Sequence, residues 1–161
     1  MTDSAASFAR RSDPQAVAIL ATAIGLEARP GGDVSPLPLR GKKIGLMCEA
    51  GSPSAVLVRE AAEGIGAYVA AIGPMWRTLA TDEALRRTAE AIGRLYDAVE
   101  CEGMPATLLE LFASHCGIPV FAGLGSTTHP TAILAELLDQ HRPLVDRRRQ
   151  IVQGALLVAL R

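Results

Sequence analysis

The hydrophobic positions of this chain form two patterns, short continuous apolar runs and longer stretches in which apolar residues recur every three or four positions. Continuous runs bounded by glycine or proline are typical of strands buried on both faces, whereas the longer spacing predicts amphipathic helices. The runs predict strands at residues 43–48, 67–72, 98–101 and 118–122. The longer spacing predicts helices at residues 14–27, 54–65, 82–95, around 108–115, 130–141 and 145–160.

Polar residues, proline and glycine mark the ends of these predicted helices. Asp13 followed by Pro14 is a typical helix start. The side chain of an acidic cap accepts hydrogen bonds from the free N–H groups of the first turn, and proline has no N–H group that would need a partner. Ser54 and Asp82 are the predicted caps of the next two helices. Gly117 is predicted to end the fourth helix in the left-handed conformation.

The segments between the elements are rich in proline and glycine. Residues 28–40 predict a surface connection to the first strand, and residues 73–80 predict a loop. The helix at residues 130–141 is expected to turn four large apolar side chains toward the core, namely Ile133, Leu134, Leu137 and Leu138.

The order β-α-β-α-β-α-β favours one architecture. Strands that alternate with helices need right-handed crossovers, so the sequence predicts an α/β single domain with a four-stranded parallel sheet and helices on both faces. The turns after the strands then lie along one edge of the sheet, where such folds bind ligands. These turns are residues 51–54, 73–79, 101–103 and 123–129.

Composition and charge narrow the classes of function. The 161 residues are 49% apolar and 20% charged, which suits one globular domain. A net charge of −1 argues against a nucleic-acid partner, and no apolar stretch has the length of a membrane span, so we expect a cytoplasmic protein. Cys48, Cys101 and Cys116 have neither disulfide nor zinc-site spacing, and we expect no metal and no cofactor.

The turn after the first predicted strand carries the first candidate site. Ser52 and Ser54 stand where a helix begins, and the free backbone N–H groups at such a position favour an anion. The alternative is purely structural, since Ser54 would cap the helix and Ser52 would fill the turn.

Three segments, taken in order, resemble the aspartate and ornithine carbamoyltransferase family, specifically its carbamoyl-phosphate domain. They are GKKIGLMCEAGSPS, RLYDAVE and AGLGSTTHPTAILAELL, which resemble the family's first strand with its phosphate loop, its third strand, and its H-P-x-Q loop with the following helix. The closing stretch DRRRQIVQGALLVALR resembles the family's last helix. The resemblance implies one carbamoyl-phosphate-domain-like unit over residues 1–161, with the amino-acid-binding domain absent.

The chain departs from the family pattern at the residues that bind phosphate. The family loop reads S-T-R-T-R, and Glu102 stands where the third strand of the family has an arginine. His129 matches the family histidine that contacts the carbamoyl oxygen, but Ala132 replaces the glutamine of H-P-x-Q. The residues that replace the loop motif are Ser52, Pro53, Ser54, Ala55 and Val56.

These departures predict a degenerate anion site made of Ser52, Ser54 and His129, with no catalytic residue. Losing two arginines and a glutamine removes at least about 5 kcal/mol of binding. His129 could equally be a turn residue at a helix start.

Three functions remain open at this level. The first is an inactive, oligomeric structural or regulatory subunit, either a homotrimer or a hetero-oligomer with a carbamoyltransferase-related chain. The second is a small-ligand-binding protein, or a related enzyme with a modified anion site. The third is a catalytic half that is completed by a separate amino-acid-binding chain.

Overall fold

The computed structural model describes residues 13–27 and 36–161. Within these ranges, four strands alternate with helices in the predicted order. The strands are β1 (Lys43–Met47), β2 (Tyr68–Ala71), β3 (Ala98–Cys101) and β4 (Val120–Ala122). The α-helices are α1 (Pro14–Glu27), α2 (Pro53–Gly64), α3 (Asp82–Leu95), α4 (Ala106–Cys116) and α5 (Leu144–Leu160). Two 3₁₀ helices cover Met75–Thr78 and Pro130–Leu137.

The four strands form one parallel sheet in the order β2-β1-β3-β4, which confirms the predicted fold class. β1 lies in the middle, paired with β2 on one side and with β3 on the other. All four carboxyl ends therefore reach the same edge of the sheet, and the turns that follow them meet there.

Alternate residues of the central strands enter two separate cores, because successive side chains point to opposite faces. Ile44 and Leu46 pack with α1, α2, α5 and the second 3₁₀ helix. Met47 and Val99 pack on the other face against α3 and α4, around the fully buried ring of Phe112. The sheet thus carries helices on both faces, as the sequence predicts.

The strands are shorter than the apolar runs, and one of them was predicted wrongly as buried. β2 pairs only with β1 and forms an edge of the sheet, so the Tyr68 side chain is 66% exposed. Residues 1–12 and residues 28–35, which are the first part of the predicted surface connection, lie outside the described residues. The last part of this connection does not stay on the surface, because Leu39 is buried and its backbone N–H bonds to the Ile65 carbonyl.

Two predicted helix caps were assigned to the wrong residue. Ser52, rather than Ser54, caps α2, because its Oγ accepts a hydrogen bond from the Ala55 N–H. Thr81, rather than Asp82, caps α3 in the same way. The predicted start of α1 is confirmed, since an Asp13 carboxylate oxygen accepts from the N–H two residues later.

The segment after His129 is a 3₁₀ helix rather than the predicted α-helix over residues 130–141. Its period of about three residues leaves only some of the predicted positions facing inward. Leu134 and Leu138 are buried, whereas Ile133 and Leu137 are 54% and 44% exposed. Residues 73–80 contain a short 3₁₀ turn instead of an irregular loop.

The closing helix α5 packs along α1, as expected for a helix with an apolar stripe. The approach is close, because a Cβ on Gly154 would lie 2.6 Å from the Ile19 carbonyl oxygen. Gln150 also donates a hydrogen bond across this contact to the Ala23 carbonyl, at 2.8 Å. The two helices are therefore joined by backbone-level contact as well as by apolar burial.

Candidate functional site

The turns after β1, β3 and β4 meet at one edge of the sheet and bring the predicted site residues into the same region. Gly125 explains how closely the first and last of these turns approach, since a Cβ there would lie 2.3 Å from the Ser54 carbonyl oxygen. Only glycine permits this contact without a shift of the backbone. The Arg148 side chain of α5 also donates a hydrogen bond to the Gly125 carbonyl, which links the turn after β4 to α5.

Ser52 lies at the N-terminus of α2 and makes two hydrogen bonds through one hydroxyl. Its Oγ accepts from the Ala55 N–H at 3.1 Å and donates to Glu102 Oε2 at 2.8 Å. A carboxylate of the chain itself is therefore bound at the helix start where the resemblance implies a phosphate. Negative charge is favoured at this position by the helix dipole.

Ser54 does not line an open site. It lies inside α2, it is buried, and its Oγ has no hydrogen-bond partner among the described residues. The hydroxyl faces the backbone of Gly125, with 2.8 Å between Oγ and the position of a Cβ on that residue. Ser52 and Ser54 therefore have different surroundings in the structure, although they are only two positions apart in the sequence.

A second carboxylate, that of Glu100, is buried directly behind this edge. One oxygen accepts from the Leu124 N–H at 2.9 Å, and the other has no partner among the described residues. Burial raises the pKa of Glu100 to about 8, because desolvation outweighs the Leu124 hydrogen bond and Glu102 adds like charge. Glu100 is thus protonated in the fold at neutral pH.

His129 is half-buried at the start of the second 3₁₀ helix. Its Nδ1 accepts from the Thr131 N–H at 3.2 Å and lies 2.8 Å from the Thr131 hydroxyl. Burial lowers the pKa of His129, so the ring is neutral at pH 7. This cap agrees with a structural role at the helix start, which is one of the two alternatives for His129, and Nε2 has no hydrogen-bond partner among the described residues.

An open cavity of about 300 Å³ joins the ends of β3 and β4. Among its lining residues are Glu102, Ser126, Thr128 and His129, with Met104 and Leu109 as an apolar wall. In the sequence, Glu102 stands out only as a replaced arginine, and Ser126 and Thr128 are not among the predicted site residues. The Gly/Ser/Thr run at residues 123–128 was the signal, since it follows a strand end as the first serine turn does.

An ion pair lies at the same edge, between the turns after β1 and β2. Arg77 donates to Glu49, so the acidic charge of Glu49 is compensated locally.

Burial raises the pKa of Cys48 to about 11 and that of Cys101 to about 12, which leaves both thiols protonated and poorly nucleophilic. No cluster of three possible metal ligands occurs within the described ranges.

The known proteins that this chain is similar to are carbamoyltransferases. No family model matches the chain. It is 38% identical over 113 residues to the ornithine carbamoyltransferase of Cutibacterium acnes, covering 70% of this chain and 34% of that protein. A catabolic ornithine carbamoyltransferase of Burkholderia mallei is 37% identical over 126 residues, covering 75% of this chain and 37% of the relative.

Solved structures agree with this assignment. The ornithine carbamoyltransferase of Gloeobacter violaceus matches 76% of this chain and 38% of its own, with 28% identity and a TM-score of 0.55. The homologues of this chain are thus ornithine and aspartate carbamoyltransferases, and their coverage of 70 to 76% of the chain fits a partial carbamoyltransferase domain. The chain spans about a third of the length of the curated relatives it matches. No helix in the described ranges is long and apolar enough to cross a membrane.

Proposed function

We propose that this chain is a carbamoyltransferase-like subunit that does not catalyse carbamoyl transfer and acts as a structural or regulatory part of an oligomer. The observation that carries the proposal is the hydrogen bond from Ser52 to Glu102 at the N-terminus of α2. A dianion would have to displace this carboxylate or approach it closely, without the two loop arginines that the resemblance implies.

The proposal includes a single unit over residues 1–161 that works without an amino-acid-binding domain. The second 3₁₀ helix leads into α5 through residues 138–143 alone. The resemblance implies that the family's second domain lies between these elements, and six residues cannot hold one. Without that domain, the nucleophile of the reaction loses its orienting site as well.

Exposed apolar side chains support an oligomer. Four of them lie together in sequence on the second 3₁₀ helix and at the start of α5, and each is at least 44% exposed in the single chain. Contiguous exposed apolar surface is where other proteins bind, so we propose these four positions as candidates for the subunit contact. They are Ile133, Leu137, Leu144 and Val145. The three free cysteines fit a reducing compartment, so we propose that the protein acts in the cytoplasm. The similarity to ornithine carbamoyltransferases supports a role in amino acid metabolism.

Light scattering of the purified chain at micromolar concentration tests this role. We expect a homotrimer, because the family resemblance implies trimers built through this domain. A hetero-oligomer with a carbamoyltransferase-related chain is the other form of the proposal, so the measurement is repeated after co-expression with the carbamoyltransferase of the same organism. A monomer under both conditions would contradict the structural role.

A further inference from the structure

Glu100 is an acidic side chain in the middle of the parallel sheet. It lies in β3, between Leu46 of β1 and Phe121 of β4, and it is 1% exposed. A carboxylate in such a place needs a cation or several hydrogen-bond donors, because burial removes the water that otherwise stabilises its charge. The groups around Glu100 therefore decide whether it can lose its proton without a change in structure.

The titratable groups that face Glu100 do not compensate a negative charge. Glu102 follows it on the same strand and adds like charge. Cys101 on β3 and Cys48 after β1 also interact with it, and both are acidic groups that stay protonated. His129, in the turn after β4, is neutral because burial lowers its pKa. No ion pair to Glu100 occurs in the described part of the chain, so its surroundings favour the protonated carboxyl group.

The turn after β4, residues 123–129, bonds directly to Glu100. The Leu124 N–H donates to Oε1 at 2.9 Å, while Oε2 has no partner among the described residues. Arg148 of α5 reaches the same turn, but it donates to the Gly125 carbonyl. The turn is thus bonded to Glu100 without bringing a positive charge to it.

Few hydrogen bonds hold this turn against the sheet. Inside the turn, the backbone N–H groups of Ser126 and His129 bond to carbonyls of the turn itself. Hydrogen bonds from the Leu124 N–H to Glu100 and from the Gly123 N–H to a β3 carbonyl link the turn to the sheet. The strands on either side of Glu100 belong to the buried core, so the turn is the element that can move away with the smallest loss of contacts.

We propose that Glu100 is a pH switch for the turn after β4. While its carboxyl group holds the proton, the Leu124 N–H bonds to it and the turn stays closed. When the proton leaves to solvent, neither the turn nor the neighbouring groups stabilise the buried charge, and the turn opens so that water reaches the carboxylate. The same turn supplies four residues that line the cavity beyond β3 and β4, so opening also changes that cavity. They are Gly123, Ser126, Thr128 and His129.

The pH range of the switch follows from the two states of the carboxyl group. With the turn closed, burial raises the pKa of Glu100 from 4.5 to about 8, and with the turn open the group lies in water and returns to its ordinary value. The closed turn is therefore fully favoured below pH 4.5. Its opening constant rises about tenfold per pH unit up to the folded pKa, a total change on the order of 10³-fold, and is level above it.

This inference goes beyond the proposed role in assembly, and the two can fail separately. A monomer whose turn opens with rising pH would contradict only the oligomeric role. A trimer whose turn does not respond to pH would contradict only the pH switch.

Hydrogen exchange of the backbone amides, measured by NMR on the isotope-labelled full chain from pH 5 to pH 8, tests the switch. After correction for intrinsic exchange, we expect the opening constant at Leu124 and Ser126 to rise about tenfold per pH unit. This exchange should be insensitive to low urea concentrations, because opening one turn exposes little surface. The amides of β1, in the middle of the sheet, should exchange more slowly at every pH and should speed up with urea.

The wild-type measurement can overturn the proposal without any variant. An opening constant at the turn that does not change with pH would show that no group there titrates. Turn amides that share both the rate and the urea dependence of the β1 amides would show that the turn opens only when the whole chain unfolds.

Three variants identify the group that titrates. Glu100→Gln keeps an acceptor for the Leu124 N–H but cannot ionise, so its opening constant should be the same at every pH. Glu102→Gln should end the rise at a lower pH, because the like charge of Glu102 contributes to the raised pKa. Glu110→Gln is the matched control and should behave as the wild type, because Glu110 lies exposed on α4 and does not line the cavity. A rise in the Glu100 variant equal to that of the wild type would refute the switch.

Discussion

At the scale of single residues, three carboxylates explain most of the electrostatics of the sheet edge. Glu102 bonds to the helix start through Ser52, Glu49 pairs with Arg77, and Glu100 is buried behind them. Of these three, only Glu100 has no cationic or hydroxyl partner among the described residues. Its raised pKa keeps the buried carboxyl group protonated and therefore uncharged. Its protonation gives the fold a pH dependence that can be measured.

We predict that stability falls as the pH rises toward about 8. The pKa of Glu100 is raised from 4.5 to about 8 in the fold, so between these values the folded chain holds a proton that the unfolded chain has lost. The contribution of this proton to the free energy of unfolding is fully present below pH 4.5 and is lost as the pH rises through the folded pKa. The free energy of unfolding falls over this range by up to about 1.4 kcal/mol per pH unit. Glu100→Gln should remove this part of the profile.

The measurement is urea unfolding of both proteins from pH 5 to pH 9. The Gln variant keeps an acceptor for the Leu124 N–H, so its free energy of unfolding should exceed that of the wild type increasingly at higher pH. Glu90→Gln, at an exposed position of α3, is the control and should leave the profile unchanged. Parallel profiles for the wild type and the Glu100 variant would show that Glu100 is not the group responsible.

At the scale of elements, the contact between α1 and α5 is the one that depends most on a single small residue. Gly154 has the Ile19 carbonyl and the Ala23 side chain against it, so even a methyl group must push the helices apart. Gly25, in α1, has no atom within 4 Å of the place a Cβ would take. The two glycines therefore form a matched pair.

We predict opposite effects from Gly154→Ala and Gly25→Ala. Gly25→Ala should be neutral or stabilise by up to about 1 kcal/mol, because alanine favours helix. Gly154→Ala should destabilise by about 1 to 3 kcal/mol in spite of the same propensity gain, since overpacking dominates. Thermal unfolding resolves the difference, at about 2 to 4 °C per kcal/mol for a chain of this size. Equal melting temperatures for the two variants would argue against the close packing of α5 on α1.

At the scale of the whole molecule, the sequence predicts the strands and the parallel sheet because these depend on the apolar pattern. Details that depend on competition between neighbours were predicted less well. Ser52 and Ser54 are both good caps in isolation, and the close approach of Gly125 to Ser54 fits the burial of that residue inside α2. The exposed face of the second 3₁₀ helix was missed because its leucine and isoleucine spacing fits an α-helix equally well.

The sequence indicates where a candidate site would lie, but it does not indicate the contacts that the structure shows there. Parallel strand ends identify the edge, and the sequence marks Ser52 and His129 on it. The hydrogen bond from Ser52 to Glu102 joins residues fifty positions apart, and no local pattern indicates it. The burial of Ser54 also shows that an arginine at this position would require the loop at Gly125 to move.

Thermal unfolding in the presence of carbamoyl phosphate measures whether the anion site formed by Ser52, Ser54 and His129 binds a dianion, and we predict that it does not. A ligand at one hundred times its dissociation constant stabilises a fold by about 2.7 kcal/mol, which would shift the melting temperature by several degrees. We predict no shift at millimolar carbamoyl phosphate for the wild type, and a gain of affinity for Glu102→Arg combined with Val56→Arg relative to Glu110→Arg. A shift of several degrees in the wild type at tens of micromolar carbamoyl phosphate would contradict the account.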